Sequence, residues 1–234
     1  VRFHATDPRS TYALGPRLVR GRRRPVAAVG KQLIVDRWSD AALLGQDPSQ
    51  IPPPEVPGPW DLVLLDRDGT LNVHRPGYIS APSQLRLRPG AADFVAKLTK
   101  AGLRTALVTN QRGLATGLLS PAQLVEVHKV LVNRLARQGG ALDAIEVCGH
   151  QIGTCDCRKP LPGMIFRLLS RAPWADPARV VMVGDQETDK QAAFAAGVNW
   201  LDVGPRGTAL ADAAEILTGN VPPKRNSVML VSAR

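Results

Sequence analysis

The sequence predicts an α/β protein: an open parallel sheet flanked by helices, behind an N-terminal extension. Three observations carry this. Between residues 61 and 204, short apolar runs alternate with stretches whose apolar residues recur at helical spacing. The first of these runs, 62–65, is apolar throughout and bounded by polar residues, as a strand covered on both faces is. Three of the runs stop at Asp66, Thr109 and Asp185, and in an open parallel sheet a site lies beyond the carboxyl ends of the strands.

Within residues 1–47, the runs 26–29 and 32–35 read as short strands or a hairpin around Gly30 and Lys31. Residues 48–60 carry Pro48, Pro52, Pro53, Pro54, Pro57 and Pro59, a density that favours extended polyproline geometry and reads as a linker. The domain proper, 61–204, opens with a strand over 62–65. A helix over 91–101 follows, with Phe94, Val95 and Leu98 on one face and Gly102 as its stop. Residues 103–108 return as a strand that delivers Thr109, Asn110 and Gln111. Ser120-Pro-Ala-Gln123 combines an N-cap, a proline at the first helical position and a capping-box glutamine, and Leu124, Val127, Leu131 and Leu135 line that helix. A strand over 144–147, a helix over 162–170, a strand over 180–183, a helix through Ala196 and a strand over 200–203 complete the alternation. Residues 205–234 read as a C-terminal helix and tail.

The 234 residues carry a formal net charge of +10, which raises nucleic acid or another anionic partner. The sharpest basic run, Arg20, Arg22, Arg23 and Arg24, lies outside the domain, and aromatics make up only 4% of the chain. Base stacking therefore has little support, and nucleic acid is not the expected partner. No stretch reaches transmembrane length and the N-terminus lacks the apolar core of a secretory signal, so a soluble cytoplasmic protein is expected; a monomer is the default expectation for its assembly.

Asp66 and Asp68 end the first strand in the run Asp66-Arg-Asp-Gly-Thr70. Residues two apart on an extended chain face the same way, so one carboxylate is placed to assist the other. The chemistry that fits is phosphoryl transfer. Asp66 attacks phosphorus, and Asp68 protonates the leaving alcohol and then deprotonates the attacking water. Thr109 holds phosphoryl oxygens and Lys159 offsets their charge. Magnesium suits the oxygen donors: the carboxylates of Asp66 and Asp185 and the main-chain carbonyl of Asp68. Asp189 is placed to orient the metal shell or Lys159.

Cys148-Gly-His150 and Cys155-Asp-Cys157 supply three thiolates and an imidazole, the donor set of a closed, structural zinc site. Every cysteine of the chain lies in this cluster. Arg158 and Lys159 follow it directly, so a pinned loop would present both to a phosphate.

These residues resemble the haloacid dehalogenase superfamily of phosphatases. Asp66 to Thr70 looks like its first motif, Thr109 its second, Lys159 its third, and Gly184-Asp185 with Asp189 its fourth. The cysteine cluster, together with Leu71-Asn72, Gly77-Tyr78, Val108-Thr-Asn-Gln111, Gly113, Pro162-Gly-Met164 and Val183-Gly-Asp185, is similar to the zinc-containing branch of heptose-bisphosphate and histidinol phosphatases. The resemblance implies a Rossmann-like fold without a large cap domain, magnesium for chemistry, zinc for shape, and a small sugar or polyol phosphate as substrate. It implies substrate contacts from His74, Gly77, Tyr78, Thr109, Asn110, Gln111, Arg112, Arg158 and Lys159.

The chain departs from the heptose pattern at His74, Arg112 and Gln186. The step from His150 to Cys155 is closer to the histidinol-phosphatase branch, whereas Lys159-Pro-Leu-Pro-Gly-Met164 is closer to the heptose branch. The leading expectation is a phosphatase for heptose 1,7-bisphosphate or a related sugar or cyclitol phosphate, with histidinol phosphate as the close alternative. A polynucleotide 3′-phosphatase and a non-enzymatic basic binding module are more distant ones.

Overall fold

A computed structural model describes residues 37–219 and 228–229. The candidate strands at 26–29 and 32–35 and the arginine run at 20–24 lie outside the described residues. In chain order the elements are α1 (Asp40–Leu43), β1 (Leu62–Leu65), α2 (Ala91–Lys100), β2 (Arg104–Asn110), α3 (Gly113–Thr116), α4 (Pro121–Ala136), β3 (Ala144–Cys148), α5 (Gly163–Arg171), β4 (Val180–Gly184), α6 (Glu187–Ala195), β5 (Asn199–Asp202), α7 (Leu210–Leu217) and β6 (Val228–Met229). The sheet runs β3-β2-β1-β4-β5-β6. Strands β1 to β5 are parallel, as expected.

Alternation along each strand divides the interior in two. Val63, Leu65, Leu107, Val181 and Val183 face a core with Phe94, Leu98, Leu131 and Leu217 from α2, α4 and α7. Leu62, Leu64, Val108, Val180 and Met182 face the other, with Met164 and Leu168 of α5 and Ala192 and Ala193 of α6. Burying both faces is why β1 and β4 read as unbroken apolar runs. Leu65 pairs with Leu107 on one side and Val183 on the other, so the three strand ends that carry the site lie level.

Local signals hold in detail. Ser120 Oγ accepts from Gln123 N at 3.2 Å, and Gln123 Oε1 accepts from Ser120 N at 2.8 Å, the reciprocal cap that starts α4. After α2 the chain turns at Gly102 with φ +77°, a left-handed conformation that suits glycine.

Three features differ from expectation. The core reaches past the expected boundary at residue 61. Leu43 is fully buried in the first core and Ile51 is buried in the second. The proline-rich segment is laced to the domain: Ile51 N donates to Arg171 O at 2.7 Å, Trp174 Nε1 to Ile51 O at 2.7 Å and Arg171 Nε to Ser49 O at 2.8 Å. Buried Glu146 holds the Arg171 guanidinium at 2.9 Å, which keeps that lacing in place. Second, part of the expected tail forms a strand, β6, antiparallel to β5. Third, the short helix α3 had no signal in the sequence. Among the described residues, no helix is long and apolar enough to cross a membrane.

Candidate active site

Lys159 is the centre of the site. Its side chain is 2% exposed, with Nζ 2.6 Å from Asp66 Oδ1, 2.6 Å from Asp189 Oδ1 and 2.8 Å from the carbonyl of Val108. All three ammonium hydrogens thus have partners, which a buried cation requires. Asp189 also caps α6, its Oδ2 accepting from Gln186 N at 3.1 Å. The approach depends on Gly184, where a Cβ would lie 2.4 Å from that oxygen.

Asp66, Asp185 and Asp189 each offer a carboxylate oxygen within 4.8 Å of the others. Thr70 Oγ1 and Gln186 Nε2 donate to Asp185 at 3.1 and 2.8 Å and aim its two oxygens. Gly69 makes room for it: at φ +97° its backbone passes so close that a Cβ would lie 2.2 Å from Asp185 Oδ2. Hard oxygen donors grouped in this way suit magnesium. The side chain of Asp68 is not in this group.

Asp68 is instead held from three directions. Arg67 Nη2 donates to both its oxygens at 3.1 and 2.8 Å, Asn72 Nδ2 donates at 3.0 Å, and Gln111 Nε2 donates at 2.9 Å. Gln111 Nε2 also donates to Thr109 Oγ1 at 2.9 Å. The electrostatics of the two aspartates diverge. Burial pushes the Asp66 carboxyl up to about 7, and Lys159 offsets this only in part because Asp189 and Asp68 repel a second negative charge. Burial would raise Asp68 too, but the Arg67 charge and the bonds from Asn72, Arg67 and Gln111 outweigh it and hold Asp68 below its ordinary value. For Lys159, burial opposes the charge, yet Asp66 and Asp189 win and hold it above the ordinary lysine range.

The expected substrate contacts separate into two groups. Asn110 and Gln111 have their amides engaged within the protein. Asn110 exchanges hydrogen bonds with the backbone of Lys159, donating to its carbonyl at 3.0 Å and accepting from its N–H at 3.1 Å, and Gln111 steadies Asp68 and Thr109. Arg112 and Tyr78 join each other, Nε to hydroxyl at 3.3 Å. His74 and Gly77 lie on the exposed stretch 73–77, and among the described residues no hydrogen bond or ion pair ties His74 to the aspartates. Arg158 is half-buried, with a buried Nη1 that has no hydrogen-bond partner among the described residues.

The cysteine cluster also assembles. Cys148 Sγ lies 3.7 Å from Cys155 Sγ and 3.7 Å from His150 Nδ1, and His150 Nδ1 lies 3.2 Å from Cys157 Sγ. A tetrahedral zinc ion with ordinary bond lengths separates two sulfurs by about 3.8 Å and sulfur from nitrogen by about 3.6 Å, so the donors fit one ion. Burial and the neighbouring thiols push Cys157 up to about 12, an arrangement of sulfurs that a divalent cation would relieve. Cys148 pairs with Asn110 across β2 and β3. The loop carrying Lys159 is therefore fixed at two points, the cluster and the Asn110 amide.

Four contributors had been missed. Thr70 orients Asp185, and Arg88 Nη1 donates to the carbonyls of Gly69 and Val203 at 2.6 and 2.8 Å, tying the aspartate turn to the end of β5. Arg67 and His128 form a buried chain behind Asp68. The signal for His128 was its place on the apolar stripe of α4, four residues after Leu124.

Comparison with known proteins agrees with this geometry. A model of haloacid dehalogenase-like hydrolases matches residues 67–197, more than half of the chain, and the chain belongs to that family. It is 42% identical over 142 residues to D-glycero-beta-D-manno-heptose-1,7-bisphosphate 7-phosphatase of Bordetella bronchiseptica, covering 60% of this chain and 79% of that protein. It is 37% identical over 136 residues to a D-glycero-alpha-D-manno-heptose-1,7-bisphosphate 7-phosphatase of Mycobacterium tuberculosis, covering 57% and 71%. Among solved structures, the B. bronchiseptica D,D-heptose 1,7-bisphosphate phosphatase with magnesium and phosphate superimposes with a TM-score of 0.63 at 36% identity, over 68% of this chain and 99% of that one. The match and these relatives bear out the expected enzyme class, a phosphoric monoester hydrolase.

Proposed function

We propose that this chain removes the 7-phosphate of a D-glycero-D-manno-heptose 1,7-bisphosphate through an aspartyl-phosphate on Asp66. One observation carries the reading: Lys159 bridges Asp66 and Asp189 at 2.6 Å each, with Asp68 and Asp185 at the same end of the sheet. The substrate is supported by the names of the relatives.

Asp66 attacks phosphorus as a carboxylate while the ester P–O bond breaks, and Asp68 gives its proton to the departing alkoxide oxygen. Asp68, now a carboxylate, takes a proton from water as that water attacks the same phosphorus and Asp66 leaves. A proton on Asp68 competes with Arg67 for the carboxylate, and the negative phosphate beside it shifts the balance towards protonation. Lys159 and Thr109 stabilise the phosphoryl oxygens, and Arg158, whose Nη1 has no partner among the described residues, contacts substrate oxygens. Magnesium held by Asp66, Asp185 and the Asp68 carbonyl would supply electrostatic stabilisation of the transferring phosphoryl group. Zinc is the ion we assign to Cys148, His150, Cys155 and Cys157, where it holds the Lys159 loop.

A phosphate-release screen with heptose 1,7-bisphosphate, histidinol phosphate and a 3′-phosphorylated oligonucleotide tests the assignment. The heptose ester is expected to lead. Preference for histidinol phosphate would move the chain to the other branch, in line with its short His150 to Cys155 step. Turnover of all three no faster than Asp66→Asn protein would remove the assignment.

A further inference from the structure

We infer that His128 is a positioning residue for Asp68, acting through Arg67 and anchored to the backbone of Leu43. The inference rests on the reading of Asp68 as the proton donor. Arg67 is 1% exposed and reaches Asp68 with Nη2, while its Nη1 lies 3.1 Å from His128 Nε2. His128 is 0% exposed, and its Nδ1 lies 2.6 Å from the carbonyl oxygen of Leu43.

The partners dictate the state of the ring. A carbonyl oxygen can only accept, so Nδ1 carries the hydrogen. A guanidinium can only donate, so Nε2 is the bare acceptor. Both demands are met by one neutral tautomer. Burial first, and then the adjacent Arg67 charge, depress His128 to about 3 and keep it neutral, against smaller opposing pulls from the Leu43 carbonyl and Asp68.

The geometric consequence falls on Asp68. Arg67 Nε is buried without a partner among the described residues, so the guanidinium is oriented by what its two terminal nitrogens touch. One of these is the catalytic carboxylate itself. The other is His128, which is fixed in turn by the end of α1, where a helix leaves carbonyls without intrahelical partners. Without His128 the guanidinium loses its independent reference, and Asp68 loses the one support that reaches both its oxygens, Asn72 and Gln111 each holding a single one. Leu43 lies before residues 67–197, so a segment outside the family match reaches the acid/base through three contacts.

Leaving-group dependence separates this role from a purely structural one. A proton donor matters for an alkoxide leaving group and hardly at all for p-nitrophenolate, which is stable at neutral pH. The ratio of kcat/KM on heptose 1,7-bisphosphate to kcat/KM on p-nitrophenyl phosphate, from one preparation, is independent of the fraction of protein folded. Asp68→Asn should lower that ratio by about 10² or more, the usual contribution of a general acid. His128→Phe, which keeps a planar ring but no acceptor, should lower it at least about tenfold, as a misplaced group does. His128→Gln, which retains an acceptor for Arg67, should stay within about threefold of the parent. A normal ratio in His128→Phe, or a ratio in His128→Gln as low as in His128→Phe, overturns the inference. An unchanged ratio in Asp68→Asn overturns the underlying reading of Asp68 instead.

Discussion

The neutral, buried state of His128 has a measurable effect on stability. In the folded protein the ring titrates near 3, depressed from an ordinary 6.5. Between those values the unfolded chain binds a proton that the folded chain does not, so stability must fall as pH drops through this window. Each pH unit costs about 1.4 kcal/mol, so lowering the pH from about 6.5 to about 5 costs the parent about 2 kcal/mol from this residue alone. His128→Gln has no such titration. Whatever the glutamine costs in packing, that cost is independent of pH, so the stability gap between parent and variant should shift by about 2 kcal/mol in the variant's favour at about pH 5. Urea unfolding of both proteins at about pH 7.5 and about pH 5, with equal salt and metal, gives the difference. Groups common to both proteins, including Arg67 and Asp68, cancel to first order. A gap constant within about 0.5 kcal/mol would mean that His128 takes up its proton as easily folded as unfolded, and would refute the hydrogen-bond assignment.

Gly69→Ala forces a side chain into a φ of +97° and a Cβ onto Asp185, so magnesium-dependent turnover should fall by about 10²-fold, with a higher magnesium requirement in an activity titration. Lys159→Met leaves Asp66 and Asp189 buried without their cation and should cost about 3–5 kcal/mol in chemical unfolding with divalent metal chelated; a loss below about 1 kcal/mol would contradict the ion-pair geometry. Cys155→Ser should bring bound zinc, by elemental analysis, from about one equivalent to less than half, and should expose the 148–159 loop to proteolysis. Zinc absent from the parent protein would remove the assignment.

The sequence made the strand ends legible because Asp66, Thr109 and Asp185 interrupt runs that are otherwise apolar, and the parallel register then brings them level. The start of α4 was legible for a local reason, the Ser120 to Gln123 cap. The cysteine cluster was legible because its ligands lie within ten residues of one another. What stayed hidden depends on contacts distant in sequence. Leu43 lies in the apolar stretch 41–44, too short to show a period, and Ile51 sits among polar and proline neighbours, yet both belong to the cores on the two faces of the sheet. Asn110 follows Thr109 on the strand and therefore faces the other way, towards Lys159, which proximity in sequence to Thr109 disguised. Val228–Met229 is too short to show an alternation, and only pairing with Trp200 and Leu201 makes it a strand.

The central claim is that Asp66 forms the covalent phosphoenzyme. Protein quenched with acid during turnover of heptose 1,7-bisphosphate, treated with borohydride and digested, should show homoserine at position 66, because borohydride reduces an acyl phosphate and leaves a free carboxylate untouched. Asp66→Asn protein should show no such conversion. Steady turnover with no modification at 66, or with the modification at Asp68, Asp185 or Asp189, would contradict the account.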